Sequence, residues 1–265
     1  MTFLPKIAAV MLTSVIAIAS ASAADLYHGS QGGGYKDGYV PFSWTGFYVG
    51  AQLGGAWSSG NVSDASLPIL NAAPVASSFN MSGISGGAVA GYMFQVSPTF
   101  VLGAEADFTA FSESSTATAP NLFGNGLPVG SGGVAWKTEA DWLSTVRGRV
   151  GYLVNPDLMI FASGGFAFGE VQLKGQHAYA GGCPNCIFGS QTDTSTGYAV
   201  GGGIEYHIGG NWLLRGEYLF ANLEGKSLTS VVNFPSATFN WSSIDVQTAR
   251  AALTYKFGSL YQPLK

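Results

Sequence analysis

The feature that most constrains this chain is the alternation in its last strand-like segment, Trp241–Phe257. Successive side chains of a β-strand point to opposite faces. From Thr248 onward one face of this segment is polar and carries both charges, and the other is apolar and ends in two aromatic rings. The first reads Thr248, Arg250, Ala252, Thr254 and Lys256, and the second reads Ala249, Ala251, Leu253, Tyr255 and Phe257. A water-soluble sheet with its apolar face inward has the same pattern as a membrane-spanning sheet with its apolar face outward. The number and spacing of such segments must therefore distinguish these two kinds of sheet.

The first residues have the pattern of a secretion signal. Lys6 supplies a positive charge, Ile7–Ala19 is an apolar run, and Ala21-Ser22-Ala23 is a small-residue cleavage site. The apolar run is short for a membrane-spanning helix, although a membrane anchor is the alternative interpretation. The sequence therefore predicts a signal peptide over residues 1–23 and a mature chain outside the cytoplasm.

The charge and composition of the mature chain limit its partners and its way of crossing a membrane. Removing Lys6 from the 11 basic residues leaves 10 against 15 acidic ones, a formal charge of −5. Without a basic face, no nucleic-acid partner is expected. The longest uncharged stretch, Ala65–Ala104, is too rich in Gly, Ser, Asn and Pro for a spanning helix. A membrane would have to be crossed by a closed barrel, because a barrel satisfies every backbone hydrogen bond.

Residues 24–43 lack periodicity, and we expect a flexible periplasmic arm there. Eight strand-like segments follow within residues 44–258: Trp44–Trp57, Met81–Phe94, Thr99–Phe111, Lys137–Val154, Leu158–Leu173, Thr196–Ile208, Trp212–Leu223 and Trp241–Phe257. Three connections are short turns, at Ser97-Pro98, Asn155-Pro156-Asp157 and Gly209-Gly210-Asn211. Four are long and polar, at Ser58–Asn80, Ser112–Trp136, Lys174–Ser195 and Gly225–Asn240. This alternation predicts an all-β, eight-stranded, antiparallel up-and-down transmembrane barrel with periplasmic turns and extracellular loops.

The two faces of the predicted strands differ in chemistry. Aromatic residues near the strand ends are expected to form girdles at the membrane interfaces: Trp44, Trp57, Tyr92, Trp142, Tyr152, Tyr206, Trp212, Trp241, Tyr255 and Phe257. The opposite, inward face carries Glu105, Asp107, Arg147, Arg149, Glu205, Arg215, Glu217, Arg250 and Lys256. A soluble ligand-binding barrel would need an apolar interior, so this distribution favours a membrane barrel. Eight strands leave room only for side chains, so we expect the charges to pair and fill the lumen. A narrow pore lined by them is the alternative.

The third long loop contains candidate reactive residues. Cys183 and Cys186 are expected to form a local disulfide, because the chain is exported to an oxidising compartment. A redox motif would need a thioredoxin-like context, and a zinc site would need more ligands than His177 adds. His177, Ser190 and Asp193 also raise the possibility of a lipid-modifying enzyme, but nothing in the sequence fixes a nucleophile beside a base. The sequence thus predicts no catalytic residue, no metal and no cofactor.

The segment Trp44-Thr45-Gly46-Phe47-Tyr48-Val49-Gly50 resembles the first strand of the small alphaproteobacterial outer-membrane β-barrel proteins, which are often called porin-like. Three further segments are similar to that family, namely Ala23-Ala24-Asp25-Leu26, Arg215-Gly216-Glu217-Tyr218 and residues 250–257. The resemblance implies an eight-stranded outer-membrane barrel but no single activity. Roles in the family include envelope integrity, surface antigenicity and, in some members, haem binding. Family members usually end at a terminal Phe that the assembly machinery recognises. Here Gly258 and a short extension, 259–265, follow Phe257.

Together these observations predict a non-enzymatic protein of the outer membrane of a Gram-negative bacterium. It would contribute to envelope structure, display surface loops, contact outer-membrane lipids and lipopolysaccharide, and depend on the β-barrel assembly machinery. A narrow channel for small solutes is the alternative, followed by haem binding through a loop and by modification of outer-leaflet lipid.

Overall fold

The computed structural model describes residues 42–64, 75–120, 132–179, 187–229 and 238–258. The predicted signal peptide, the predicted arm up to residue 41, both cysteines and residues 259–265 lie outside the described residues. All regular elements of the described ranges are strands. No helix in this part of the chain is long and apolar enough to span a membrane.

Ten strands follow one another in the described ranges. They are β1 (Gly46–Asp64), β2 (Val75–Gln95), β3 (Phe100–Pro120), β4 (Gly132–Asn155), β5 (Leu158–Tyr179), β6 (Ile187–Gly209), β7 (Trp212–Leu223), β8 (Ser227–Thr229), β9 (Thr238–Trp241) and β10 (Ile244–Lys256).

Eight of these strands close into a barrel. Each strand from β1 to β6 pairs antiparallel with the next one along the chain, and β10 pairs with β7 on one side and with β1 on the other. The closing ladder runs from Tyr48 opposite Lys256 to Ser59 opposite Asp245. The predicted eight-stranded antiparallel barrel is therefore confirmed.

Burial alternates along the strands because one face lines the lumen and the other forms the outer surface. In β10, Thr254 and Lys256 are fully buried, whereas Leu253, which precedes Thr254, is 45 % exposed. The same alternation is present along β7. The two faces predicted for the last strand are thus those of the folded chain.

Three of the predicted long loops are mostly strand, so their predicted bounds were wrong. The β1–β2 ladder continues to Asp64 opposite Val75, the β3–β4 ladder to Pro120 opposite Gly133, and the β5–β6 ladder to Gln176 opposite Ile187. The prediction ended each strand where apolar alternation stopped. Backbone pairing does not need that alternation, so the Ser- and Thr-rich segments continue the ladders.

The fourth connection has a different structure. β7 ends at Leu223, and a small hairpin of β8 and β9 branches away to pair with β1, with Trp241 opposite Val62. Ser242 and Ser243 then interrupt the predicted last strand, and β10 begins at Ile244. A side chain at Gly225 would overlap the carbonyl oxygen of Trp241, so glycine permits the close approach at which the hairpin branches.

An apolar belt surrounds the outer surface. Along β6 it runs from Tyr198 to Ile208, which corresponds to about 26 Å for tilted strands, close to the height of the apolar band of outer-membrane barrels. Of the predicted girdle residues, Trp57, Tyr92, Tyr152, Tyr206, Trp212 and Phe257 are about half exposed, and Trp142 and Tyr255 are less so. The prediction is wrong for Trp44, which is fully buried, and for Trp241, which is 4 % exposed.

Candidate functional site: the filled lumen

The register of the barrel places acidic residues directly opposite arginines on neighbouring strands. Residues that face each other on one side of an antiparallel pair have adjacent side chains. Three such pairs point into the lumen, namely Glu105 with Arg147, Glu205 with Arg215, and Glu217 with Arg250. The first pair joins β3 and β4, and the other two lie on β6, β7 and β10 across the lumen, so the side chains of the two sides converge near the barrel axis.

Glu105, Glu205, Arg149 and Arg215 form one closed group of four charges, the lower square, on the side of the short turns. Arg215 Nη1 lies 2.8 Å from Glu105 Oε2 and its Nη2 lies 3.3 Å from Glu205 Oε1. Arg149 Nη2 lies 2.7 Å from Glu205 Oε2 and its Nη1 lies 3.3 Å from Glu105 Oε2. Each charge of the square therefore contacts both charges of opposite sign.

Asp107, Glu217, Arg147 and Arg250 form a second group, the upper square, on the side of the long hairpins. Arg147 Nη2 lies 2.9 Å from Asp107 Oδ2, and its Nη1 lies 2.5 Å from Glu217 Oε1. Arg250 Nη2 lies 3.1 Å from Asp107 Oδ2 and 2.9 Å from Glu217 Oε2. Arg147 Nη2 also lies 2.5 Å from Glu105 Oε1 and so joins the two squares.

The two squares together form a buried and electrically balanced charged layer. None of the eight residues is more than 5 % exposed. Four carboxylates balance four guanidinium groups, and the contacts between Arg250 on β10 and Asp107 on β3 cross the lumen. Buried charges are tolerated only when they are paired and hydrogen-bonded. Every charge of this layer has a partner of opposite sign, and only the Nε atoms of Arg147, Arg149 and Arg215 lack a hydrogen bond among the described residues.

Uncharged side chains support the layer, and the sequence analysis did not single them out. The Tyr48 hydroxyl donates to Glu105 Oε2 at 2.6 Å and accepts from Arg149 Nη1 at 3.0 Å. Thr145 Oγ1 donates to Asp107 Oδ2 at 2.7 Å, and Ser163 Oγ accepts from Arg147 Nη1 at 2.7 Å. All three lie at inward positions of their strands, so the alternation together with their polarity could have identified them.

Two inward glycines leave room for these side chains. A Cβ at Gly91 would lie 2.6 Å from the Tyr48 hydroxyl oxygen, and one at Gly201 would lie 3.2 Å from Arg147 Nη1. Such distances are shorter than ordinary carbon contacts, so a larger residue at either position would displace a member of the layer.

The short-turn end of the lumen is closed by residues 42–45, which we call the strap. The side chains of Phe42 and Trp44 turn inward and join an apolar cluster with Tyr48, Val89, Met93, Val101, Leu153, Met159, Phe161 and Leu213. Trp44 Nε1 donates to the Pro156 carbonyl oxygen at 3.0 Å. Trp44 precedes β1 and its side chain lies inside the lumen rather than on the outer wall, so it is not part of an aromatic girdle.

Lys256 and His207 contact the strap at this end of the barrel. Lys256 Nζ donates to the Thr45 carbonyl oxygen at 3.2 Å and lies 5.0 Å from the centre of the Phe42 ring. The His207 ring stacks on Phe42 with centroids 3.9 Å apart. Its Nδ1 lies 2.9 Å from Asp157 Oδ1. The predicted lumen residue Lys256 is thus buried next to the strap.

The hairpin end of the lumen is filled by apolar side chains. Leu143, Leu219, Leu223, Val246 and Trp241 are each at most 4 % exposed. Trp241 is buried here because β9 pairs with β1 on the hairpin side of the closing ladder. The strap, the charged layer and this apolar layer follow one another along the barrel axis.

The predicted reactive residues are only partly described. Asp193 Oδ2 lies 3.5 Å from Lys226 Nζ in a half-exposed ion pair. His177 and Ser190 belong to β5 and β6, but their side chains, like Cys183 and Cys186, lie outside the described part. Within the described ranges no group of three or more His, Cys, Asp and Glu residues is arranged to hold a metal ion.

Residues 9–257 match the family described as "Outer membrane protein beta-barrel domain". The chain belongs to this family. It is 32 % identical over 255 residues to a 31 kDa outer-membrane immunogenic protein of Brucella melitensis, covering 94 % of this chain and 99 % of the relative. It is 28 % identical over 184 residues to a 22 kDa outer membrane protein of Rhizobium leguminosarum, covering 69 % of this chain and 66 % of the relative.

The outer membrane protease OmpT of Escherichia coli is a solved structure similar to this chain, with a TM-score of 0.44 and 13 % identity over 82 % of this chain and 98 % of that one. The family and the closed barrel identify this protein as a β-barrel of the outer membrane of a Gram-negative bacterium. The outward girdle residues, such as Trp57 and Trp212, and the apolar belt therefore face lipid, and the charged layer lies within the membrane-spanning part.

Proposed function

We propose that this protein is a structural outer-membrane barrel that does not conduct ions and that displays its long hairpins at the cell surface. The observation that carries the proposal is the charged layer, in which eight paired and buried charges cross the lumen. A hydrated ion would have to separate these pairs in order to pass. Breaking a buried pair leaves an uncompensated charge and costs several kcal/mol.

Two further features support a closed lumen. The strap fills the short-turn end, where Trp44 is fully buried. Leu219 and Leu223 fill the hairpin end. A channel would need a continuous polar path, and the described inward side chains at both ends are largely apolar.

The hairpins support the display role. The ladders of β1 with β2 and of β3 with β4 continue past the apolar belt to Asp64 and Pro120. Paired strands hold a protruding segment in a defined shape, as a surface epitope requires. The Brucella relative is named an immunogenic protein, and we propose that this chain is likewise a surface antigen.

The remaining predictions on processing and partners extend the same proposal. We propose cleavage after Ala23, a periplasmic arm and C-terminal extension flanking the barrel, contacts of the belt with outer-membrane lipids and lipopolysaccharide, and insertion by the β-barrel assembly machinery. We also propose that the protein is not an enzyme, which is supported by the names of its relatives as outer-membrane proteins and by the ion pair that engages Asp193.

The conductance of the purified protein in planar bilayers tests the proposal. The unmodified barrel should give no steady single-channel current. A variant with all eight charged residues of the layer changed to Ala, in the background Phe42→Ala and Trp44→Ala, should give more current if it folds, because side chains that fill the lumen are removed. A robust and stable channel in the unmodified protein would instead establish the narrow-channel alternative.

A further inference from the structure

We propose that the strap is an internal ligand: it occupies an aromatic-binding pocket in the short-turn end of the lumen and can leave that pocket while the barrel stays closed. The proposal goes beyond a structural role and does not depend on whether the barrel conducts, because the charged layer above the pocket stays in place when the strap moves.

A hinge separates the strap from the barrel wall. Gly46 has a φ of +151°, a backbone conformation that residues with a side chain rarely adopt. A Cβ at this position would also overlap the carbonyl oxygen of Phe257. The chain therefore changes direction at Gly46, between the strap inside the lumen and β1 in the wall.

The strap is held by one isolated β-bridge and by side chains rather than by a continuous ladder. Phe42 forms the bridge, residues 43–45 have no regular secondary structure, and β1 begins at Gly46. Trp44 N donates to Gln95 Oε1 at 3.2 Å, and Thr45 Oγ1 accepts from Gln95 N at 3.0 Å. The wall strands beside it are held by ladders along their length, so the strap can detach at a lower free energy than the wall can open.

The space under the strap has the chemistry of a pocket for planar aromatic molecules. Its walls include Met93, Leu153 and Leu213, which are all at most 6 % exposed. Its ceiling is the ring of Phe161, over which the Arg149 guanidinium carbon lies at 4.0 Å. An aromatic ring in this space gains apolar contact and lies close to cationic groups, and the strap itself fills it with an indole and a phenyl ring.

The labelling rate of a buried cysteine tests whether the strap opens on its own. Met93→Cys places a thiol under the strap, and Leu219→Cys places one above the charged layer, each in the Cys183→Ser and Cys186→Ser background. Both parent residues are at most 1 % exposed. We expect a water-soluble maleimide to modify Met93→Cys at least about tenfold faster than Leu219→Cys in the folded protein, because local opening precedes global opening. Equal rates would overturn the proposal.

Trp44→Ala and indole test the pocket. Adding Trp44→Ala should raise the labelling rate of Met93→Cys about tenfold above its rate in the chain that keeps Trp44. The rate of Leu219→Cys should stay unchanged, since the substitution loosens only the strap. Indole should then slow the labelling of Met93→Cys in this variant, and methylcyclohexane, of similar size but without a π-face, should do so less. No protection by indole would overturn the pocket. The comparison of Met93→Cys with Leu219→Cys in the chain that keeps Trp44 leaves the strap intact, so it does not depend on how well Trp44→Ala folds.

Discussion

At the scale of single residues, the charged layer depends on arginine rather than on basic charge in general. Arg147 reaches Glu105, Asp107 and Glu217 through two of its nitrogens. A planar guanidinium offers several donors in fixed directions, whereas a lysine ammonium is a point charge on a flexible stem. All four basic members of the two squares are arginines, and each contacts at least two carboxylates.

Arg147→Ala should therefore destabilise the barrel by about 3–5 kcal/mol, because three buried carboxylates lose a partner. Arg147→Lys should recover only part of this loss. Urea unfolding in lipid vesicles measures both. Lys226→Ala is the control, since its half-exposed pair with Asp193 should contribute at most about 1 kcal/mol. A loss for Arg147→Ala no larger than that of the control would contradict the structural role of the layer.

The lipid-facing surface gives a second prediction at this scale. Leu253 and Leu214 are 45 % and 48 % exposed and lie opposite each other on β10 and β7. Replacing either with Arg should cost about 2–4 kcal/mol near the bilayer midplane, because the charge would face hydrocarbon. Equilibrium unfolding in vesicles measures this cost. Tyr255→Arg, closer to the interface, is the matched control with a smaller expected loss. Unchanged stability in both Leu variants would show that the two faces are assigned wrongly.

At the scale of elements, the β8–β9 hairpin has a structural role in addition to extending the surface. It carries Trp241 into the hairpin end of the lumen, where the side chain is 4 % exposed. Trp241→Ala should cost about 3–5 kcal/mol, the usual range for removing a large buried side chain. Trp57→Ala, at a site 48 % exposed on the outer face, should cost less. Thermal unfolding followed by gel mobility compares the two, and equal losses would mean that Trp241 does not pack in the lumen.

Alternation explains why the membrane-spanning strands could be predicted and their ends could not. In β10 both charges from Thr248 onward lie on one face and the large apolar side chains on the other, so strand type, inward residues and barrel topology follow from the sequence. Beyond the apolar belt the outward residues face water, the alternation disappears, and Asp64 or Pro120 gives no signal that pairing continues. Trp44 was misplaced for a related reason: an aromatic residue before a strand is equally compatible with a girdle and with a strap that turns inward.

At the scale of the whole molecule, the lumen resembles the core of a soluble protein in which one layer is ionic. Apolar side chains pack at both ends, and the two charge squares lie between them. Each square is neutral by itself, with two arginines and two carboxylates. Pairing within a neutral square limits the cost of burial, so the layer as a unit need not be a large net source of stability.

Replacing a whole square should therefore cost less than the sum of its single replacements. The variant with Asp107→Leu, Glu217→Met, Arg147→Met and Arg250→Met removes the upper square but keeps apolar volume. A buried ionic cluster can often be exchanged for apolar residues with little loss or even a gain, whereas removing one partner costs about 3–5 kcal/mol. Urea unfolding of the quadruple variant and of the four single variants tests this, and bilayer recordings should show that the filled lumen still does not conduct. A quadruple variant that loses the full sum would mean that the charges stabilise the barrel independently, which the shared contacts of Arg147 and Arg250 contradict.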